Sequence, residues 1–178
     1  MANLQVRAGD FFYVGPAPGE EPGFVTGLIL FFSKLFARDR KAEVSHGGLI
    51  VSIDGMTLEA TIKGTMTVGS IYDYTGKYVV ITRIKWLRPI RVAKALEATE
   101  KEFGGEGYPF LKLLLFPFNI IARYCSFGRG VCSELMAFVK WQIGVRHQYW
   151  SGFTPAQLLA EDRINRKYTK KPVFEGIL

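Results

Sequence analysis

Asp54-Gly55 stands between two runs rich in strand-forming residues, VSHGGLIVSI and MTLEAT. An Asp-Gly pair in that setting is a strong short-range signal for an antiparallel hairpin, so the middle of the chain is committed to an antiparallel sheet. Upstream, DFFYV (10–14) is a further strand, ended by the glycines and prolines of GPAPGEEPG. Downstream, TMTVGSIY and KYVVITRIKW add two more, and the section reads as a meander.

The pattern then turns helical. A helix of about three turns is expected earlier, from Phe24 to Phe36. Beyond Pro89, IRVAKALEATEKEF places Val92, Leu96 and Phe103 near one side of a helix that Gly104-Gly105 stops. A helix opened by Cys132 carries Leu135, Met136, Val139 and Ile143, with Gly144 as its stop. Thr154-Pro155 starts a short helix, with Thr as N-cap and Pro at the first helical position, and KKPVFEGIL is a docked extended tail or a strand. Strands early and helices late argue for an α+β domain, with a central antiparallel sheet or partial barrel packed on helices, and against a doubly wound parallel sheet. The 178 residues suit a single domain, 1–178.

Two stretches, FVTGLILFFSKLF (24–36) and FLKLLLFPFNII (110–121), are strongly apolar. Both are shorter than the ~18 to 20 residues of a bilayer-spanning helix, so each is a buried helix or an apolar flap facing membrane or substrate. The net charge of +7 is spread through RDRK, RIKWLRPIR and DRINRKYTKK. It favours an anionic neighbour, an anionic cell-wall polymer or a membrane surface, with no specific nucleic acid expected, or else serves solubility. MANLQVRAGDFFYV carries no signal-peptide pattern. Cytoplasmic synthesis is the expectation, with action inside the cell or release in a phage particle or by lysis.

Cys125 and Cys132 are the two cysteines, a number and spacing that fit neither a disulfide framework nor a zinc knuckle. The two histidines, His46 and His147, lie in no HExxH pattern, and there is no phosphate loop or dinucleotide fingerprint. Neither metal nor cofactor is implied. What remains is a thiol with a base.

Cys132 opens a helix, where unsatisfied N–H groups favour a thiolate, and Arg129 stands three residues upstream. The alternative is a small buried hydrophobe. His46, followed by Gly47-Gly48, is the favoured base, because paired glycines in a strand suit a close approach to the backbone, by substrate among others. His147, in GVRHQYW, suits a capping or exposed role.

Glu59 is the candidate for orienting His46, with Thr61 in reserve. If Asp54 and Gly55 are the only turn residues, Ile50 opposes Glu59 and Gly48 opposes Thr61. Glu59 then shares the face of His46 but lies about 13 Å along the strand, too far to touch it. Direct opposition of His46 and Glu59 requires a wider loop.

Several segments together resemble the permuted NlpC/P60 papain-like cysteine hydrolases, in their YiiX/YaeF-like branch. AGDFFYV is similar to that family's opening G-D-plus-strand segment, VSHGGLIVSIDGMTLEAT to its S-H-x-G and later L-E-A, and GVCSELMAF to its C-S-E-L nucleophile helix. GYPFLKLLL and FTPAQLL resemble the flanking segments, with proline in GYPF where an acidic residue is common in the family. The resemblance implies a papain-like fold, Cys132 as nucleophile, His46 as general base and then acid, and Glu59 as the third, polar member.

Three functions follow from these residues. The first is a cysteine amidase or peptidase acting on a peptide substrate, with bacterial cell-wall peptides favoured. The second is a lipid-directed thioester-forming hydrolase or acyltransferase with an acyl substrate, and the third is a non-catalytic binding module on the same frame.

Overall fold

The computed structural model describes residues 4–36, 44–61, 64–105, 132–145, 154–165, 167–169 and 172–178. Among them, β1 (Phe11–Gly15), β2 (His46–Ile50), β3 (Met56–Thr61), β4 (Gly64–Ser70), β5 (Tyr78–Thr82) and β6 (Phe174–Ile177) form one sheet in the order β4-β3-β2-β1-β5-β6. Every pairing is antiparallel. Four helices accompany the sheet among the described residues: α1 (Phe24–Phe36), α2 (Pro89–Phe103), α3 (Cys132–Gln142) and α4 (Pro155–Ile164). The architecture is α+β.

The meander is confined to β2, β3 and β4. After a 3-10 turn at Ile71–Tyr74 the chain leaves β4, and β5 pairs with β1 on the far side of the sheet. Burial explains this correction: YVVIT is buried at every position but its first, and a strand apolar on both faces belongs inside a sheet. The tail supplies β6, which covers the outer edge of β5.

Alternation along β1 divides the core. Phe11 and Tyr13 join Leu49, Val80, Met136, Val139 and Leu158 on the helix-covered face. Phe12 and Val14 join Ile50, Ile71, Val79 and Ile81 on the other, where Leu4, Tyr74 and Phe174 pack. At the start of β1, Asp10 receives two hydrogen bonds from the Arg83 guanidinium, at 2.8 and 2.7 Å, and one from the backbone N–H of Arg7 at 2.9 Å. The aspartate of AGDFFYV thus ties the entry of β1 to the exit of β5.

The helix limits follow local chemistry. Pro89 begins α2, and the backbone N–H of Gly104 bonds to the carbonyl of Glu100 at its end. Thr154 caps α4 in a reciprocal box with Gln157, with Pro155 in the first turn. Gly144, at φ 78°, follows α3 in the left-handed region that glycine enters without a Cβ clash. In α1, Ile29 and Leu30 are buried while Phe24 is exposed, and the helix meets α4. The second apolar stretch, 110–121, lies outside the described residues. No helix among the described residues is long and apolar enough to cross a membrane.

α3 is buried from Cys132 to Lys140 and packs on β2, β3, α2 and α4. A helix enclosed on all sides must give its polar side chains internal partners. Lys140 Nζ donates to Tyr13 Oη (2.8 Å) and Asp162 Oδ1 (2.7 Å), and it lies 4.8 Å from the centre of the Phe11 ring. Asp162 Oδ2 accepts from Tyr13 (2.6 Å) and from Thr82 (2.7 Å). This cluster fixes α3 and α4 against β1 and β5.

Candidate active site

The register of the β2–β3 hairpin decides whether His46 meets a carboxylate. Gly48 opposes Glu59, Leu49 opposes Leu58 and Ile50 opposes Thr57. Neither sequence expectation for the register holds: Glu59 is opposite neither Ile50 nor His46 but lies between these limits. The cause is the turn, because Val51 N donates to Met56 O (2.8 Å) and encloses Ser52 to Gly55, with Ser52 Oγ accepting from Met56 N (3.1 Å). Asp54-Gly55 is therefore the second half of a wider loop, and Gly55 supplies its left-handed residue at φ 85°.

The observed register sets Glu59 diagonally across from His46, a separation of about 7–8 Å that long side chains span. His46 Nε2 and Glu59 Oε2 are 2.8 Å apart. Gly48 makes the diagonal passable by placing no side chain between them. A Cβ at Gly48 would lie 2.8 Å from Cε1 of Phe12, whose ring meets the imidazole edge-on at 6.3 Å between centroids.

Glu59 is nearly sealed, at 4% exposure, and is held by more than the histidine. Thr57 Oγ1 donates to its Oε1 and Tyr74 Oη donates to its Oε2. Gly69, opposite Thr57, leaves room for this pair: a Cβ there would lie 3.1 Å from both Glu59 Oε1 and Thr57 Oγ1. Tyr74 is positioned by the 3-10 turn, which Ser70 and Asp73 close in a capping box. The hydroxyl of Thr61, the reserve orienter, pairs with that of Thr67 at 3.0 Å.

Cys132 reaches His46 because two element starts meet: the histidine opens β2, the cysteine opens α3, and α3 packs on β2. Gly47 permits the close contact. A Cβ there would lie 2.9 Å from Sδ of Met136, one helical turn beyond Cys132, and 2.6 Å from the carbonyl oxygen of Phe12. What approaches the paired glycines closely is protein, a thioether at Gly47 and a phenyl ring at Gly48; substrate was one candidate from the sequence.

The imidazole is hydrogen-bonded to Cys132 as well as to Glu59. Burial alone would lower its pKa, but the bond to Cys132, then that to Glu59, and the charges of both outweigh burial and raise it to about 10. Burial pushes the Glu59 carboxyl up, yet its bond to His46 and that residue's charge prevail and hold it below the usual value. Burial, and then the charge of Glu59, raises the Tyr74 phenol well above the ordinary range, so it stays a donor. Cys132 is 4% exposed, whereas the His46 side chain is 24% exposed. The opening to this cluster is on the imidazole side.

The structure thus gathers Cys132, His46 and Glu59. Thr57 and Tyr74 had not been singled out from the sequence. Thr57 was accessible from strand alternation, two residues before Glu59 on the same face, and Tyr74 from the S-x-x-D cap of its turn. His147, Cys125, Arg129 and the GYPF segment lie outside the described residues.

No protein-family model and no curated protein matches this sequence. Among solved structures, the chain is similar to metalloprotein YiiX (DUF1105) of Escherichia coli O157:H7, with 16% sequence identity, 98% of this chain and 89% of that chain covered, and a TM-score of 0.51. At that identity the likeness is one of fold, and the antiparallel sheet with its helices is compatible with a YiiX-like architecture.

Proposed function

We propose that this chain is a cysteine hydrolase of the permuted NlpC/P60, papain-like kind, cleaving amide or peptide bonds by acyl transfer through Cys132, His46 and Glu59. One observation carries the reading: a single imidazole is bonded both to a thiol at the first turn of a helix and to a buried carboxylate. Nucleophile, base and orienting group in that sequence form the arrangement that activates a weak nucleophile.

In this mechanism Nε2 of His46 donates to Glu59, leaving Nδ1 to exchange a proton with Sγ of Cys132. The thiolate attacks the substrate carbonyl carbon and forms a C–S bond, while the backbone N–H of Cys132 stabilises the developing oxyanion. The C–N bond then breaks, and the imidazolium gives its proton to the departing amine. Water, deprotonated by His46, attacks the thioester and releases the acid and the thiol. Glu59 holds the ring and balances the imidazolium charge; Thr57 and Tyr74 hold Glu59. Among the described residues no group of three or more His, Cys, Asp or Glu side chains is set to hold a metal ion, and no step here passes through one.

Cell-wall peptides are the favoured substrate class, since a net charge of +7 suits an anionic envelope reached by release with lysis or in a phage particle. The test is incubation with purified peptidoglycan fragments and with a panel of acyl lipids, read by mass spectrometry, using Cys132→Ala as control. New amine and acid ends from the fragments, absent with the variant, support the reading. Turnover of lipids alone would move the same chemistry to an acyl-lipid substrate, and no turnover of either would leave a binding module.

A further inference from the structure

At the end of β1 remote from His46, the chain presents a different surface. Trp86 is 85% exposed, and its φ of 56° puts a bulky side chain in the left-handed region, a conformation such residues seldom adopt. Ile90, a turn later at the start of α2, is 61% exposed. Burial would normally claim both side chains, and here two large apolar groups four residues apart are both exposed.

The sequence that carries them is basic. From residue 74 to residue 96 the sequence contains no Asp or Glu. Arg7, Arg88 and Arg91 are exposed and form no ion pair among the described residues. Arg7 joins Trp86 in lining a cleft of about 220 Å³, together with Asp10, Arg83 and Leu87. Arg83 is occupied by Asp10, so among the described residues the uncommitted charge belongs to Arg7 and to the guanidiniums flanking Ile90.

We propose that this tip docks the protein on an anionic lipid surface, with Trp86 and Ile90 entering the interface and Arg7, Arg88 and Arg91 meeting headgroup phosphates. Indole rings concentrate at the headgroup level of bilayers, and each guanidinium near an anionic leaflet adds attraction. A phosphate-bearing polymer would match the arginines but gives no role to the exposed Ile90. The cleft beside Arg7 accommodates a headgroup.

Docking has a geometric consequence. Asp10, in the cleft, precedes β1, whereas His46 pairs with Val14 near its other end, about 13 Å farther along the strand. The docking tip and the Cys132–His46 cluster therefore lie toward opposite ends of β1. The docking surface stands without the hydrolase reading, and either can fail while the other holds.

The test is co-sedimentation of the full chain with phosphatidylcholine vesicles with and without phosphatidylglycerol, at low and at raised salt, with double-stranded DNA as a polyanion control. Binding is expected only with phosphatidylglycerol present. Arg88→Gln with Arg91→Gln should weaken it roughly thirtyfold, and Trp86→Gly should remove the part that survives salt. Glycine suits the left-handed backbone at 86, so that variant remains informative if the double variant melts early. Equal binding to neutral vesicles, no binding, or equal binding to DNA without any effect of Trp86→Gly would overturn the proposal.

Discussion

Two polar clusters bear on the sheet, and α3 belongs to both. At its first residue, Cys132 meets His46, which in turn bonds to Glu59; two turns later, Lys140 meets Asp162 and Tyr13. In the second cluster every donor and acceptor is enclosed: the Lys140 side chain is 1% exposed and that of Asp162 4%. Burial, followed by the charge of Asp162, raises the Tyr13 phenol far beyond its usual range, so that phenol stays neutral. In the first cluster the carboxylate is enclosed but the imidazole is not, and its partner is a thiol. A closed ion pair holds elements in place, whereas a histidine with an open side and a titratable neighbour can pass a proton.

Substitutions that separate the two clusters sharpen this contrast. On the proposed hydrolase reading the largest effect on activity belongs to Cys132→Ala, which should cost at least about 10⁴-fold in turnover while lowering the urea midpoint only modestly, through the lost support to the His46 pKa. The largest effect on stability belongs to Asp162→Ala. It strands a buried ammonium and should cost about 3–5 kcal/mol by urea unfolding. Because Lys140 and Cys132 share a helix, Asp162→Ala should lower activity as well, whereas Cys132→Ala should cost far less stability than Asp162→Ala.

Gly47→Ala tests the contact that joins the clusters. The added methyl meets a backbone oxygen and the Met136 thioether, and should cost about 1–3 kcal/mol; relief by Met136→Ala would locate the strain between α3 and β2. Tyr74→Phe is the mildest change, removing one hydrogen bond to Glu59, worth about 1 kcal/mol or roughly fivefold in turnover. Equal losses from Tyr74→Phe and Cys132→Ala would contradict the supporting role assigned to the phenol.

Much of the sheet was legible because its signals are local: Asp-Gly, the alternating runs and the Thr-Pro cap each act over a few residues. The position of β5 was not, since nothing in KYVVITRIKW tells which strand it will join; that choice follows from burying both faces. The same limit applied to Glu59. Alternation gave its face, but its level along the strand depended on whether Asp54-Gly55 was a whole turn or half of one. Paired glycines marked a close approach at 47 and 48, yet the sequence could not identify the approaching groups as Met136 and Phe12. The Lys140–Asp162 pair carried no local signal at all, because a lysine in WQIG-terminated helix sequence reads as a solvent-facing residue until α4 is packed against it.

The central claim is that His46 is coupled to Cys132. A raised histidine pKa stabilises the fold fully below about 6.5, and this contribution is lost as pH rises toward the folded value of about 10. The direct measurement is an NMR titration of the imidazole, with only two histidines in the chain and His147 as internal reference. The account predicts that His46 stays protonated through neutral pH, with its midpoint shifted well toward 10, and that Cys132→Ala lowers that midpoint. An ordinary midpoint near 6.5, unmoved by Cys132→Ala, would contradict it.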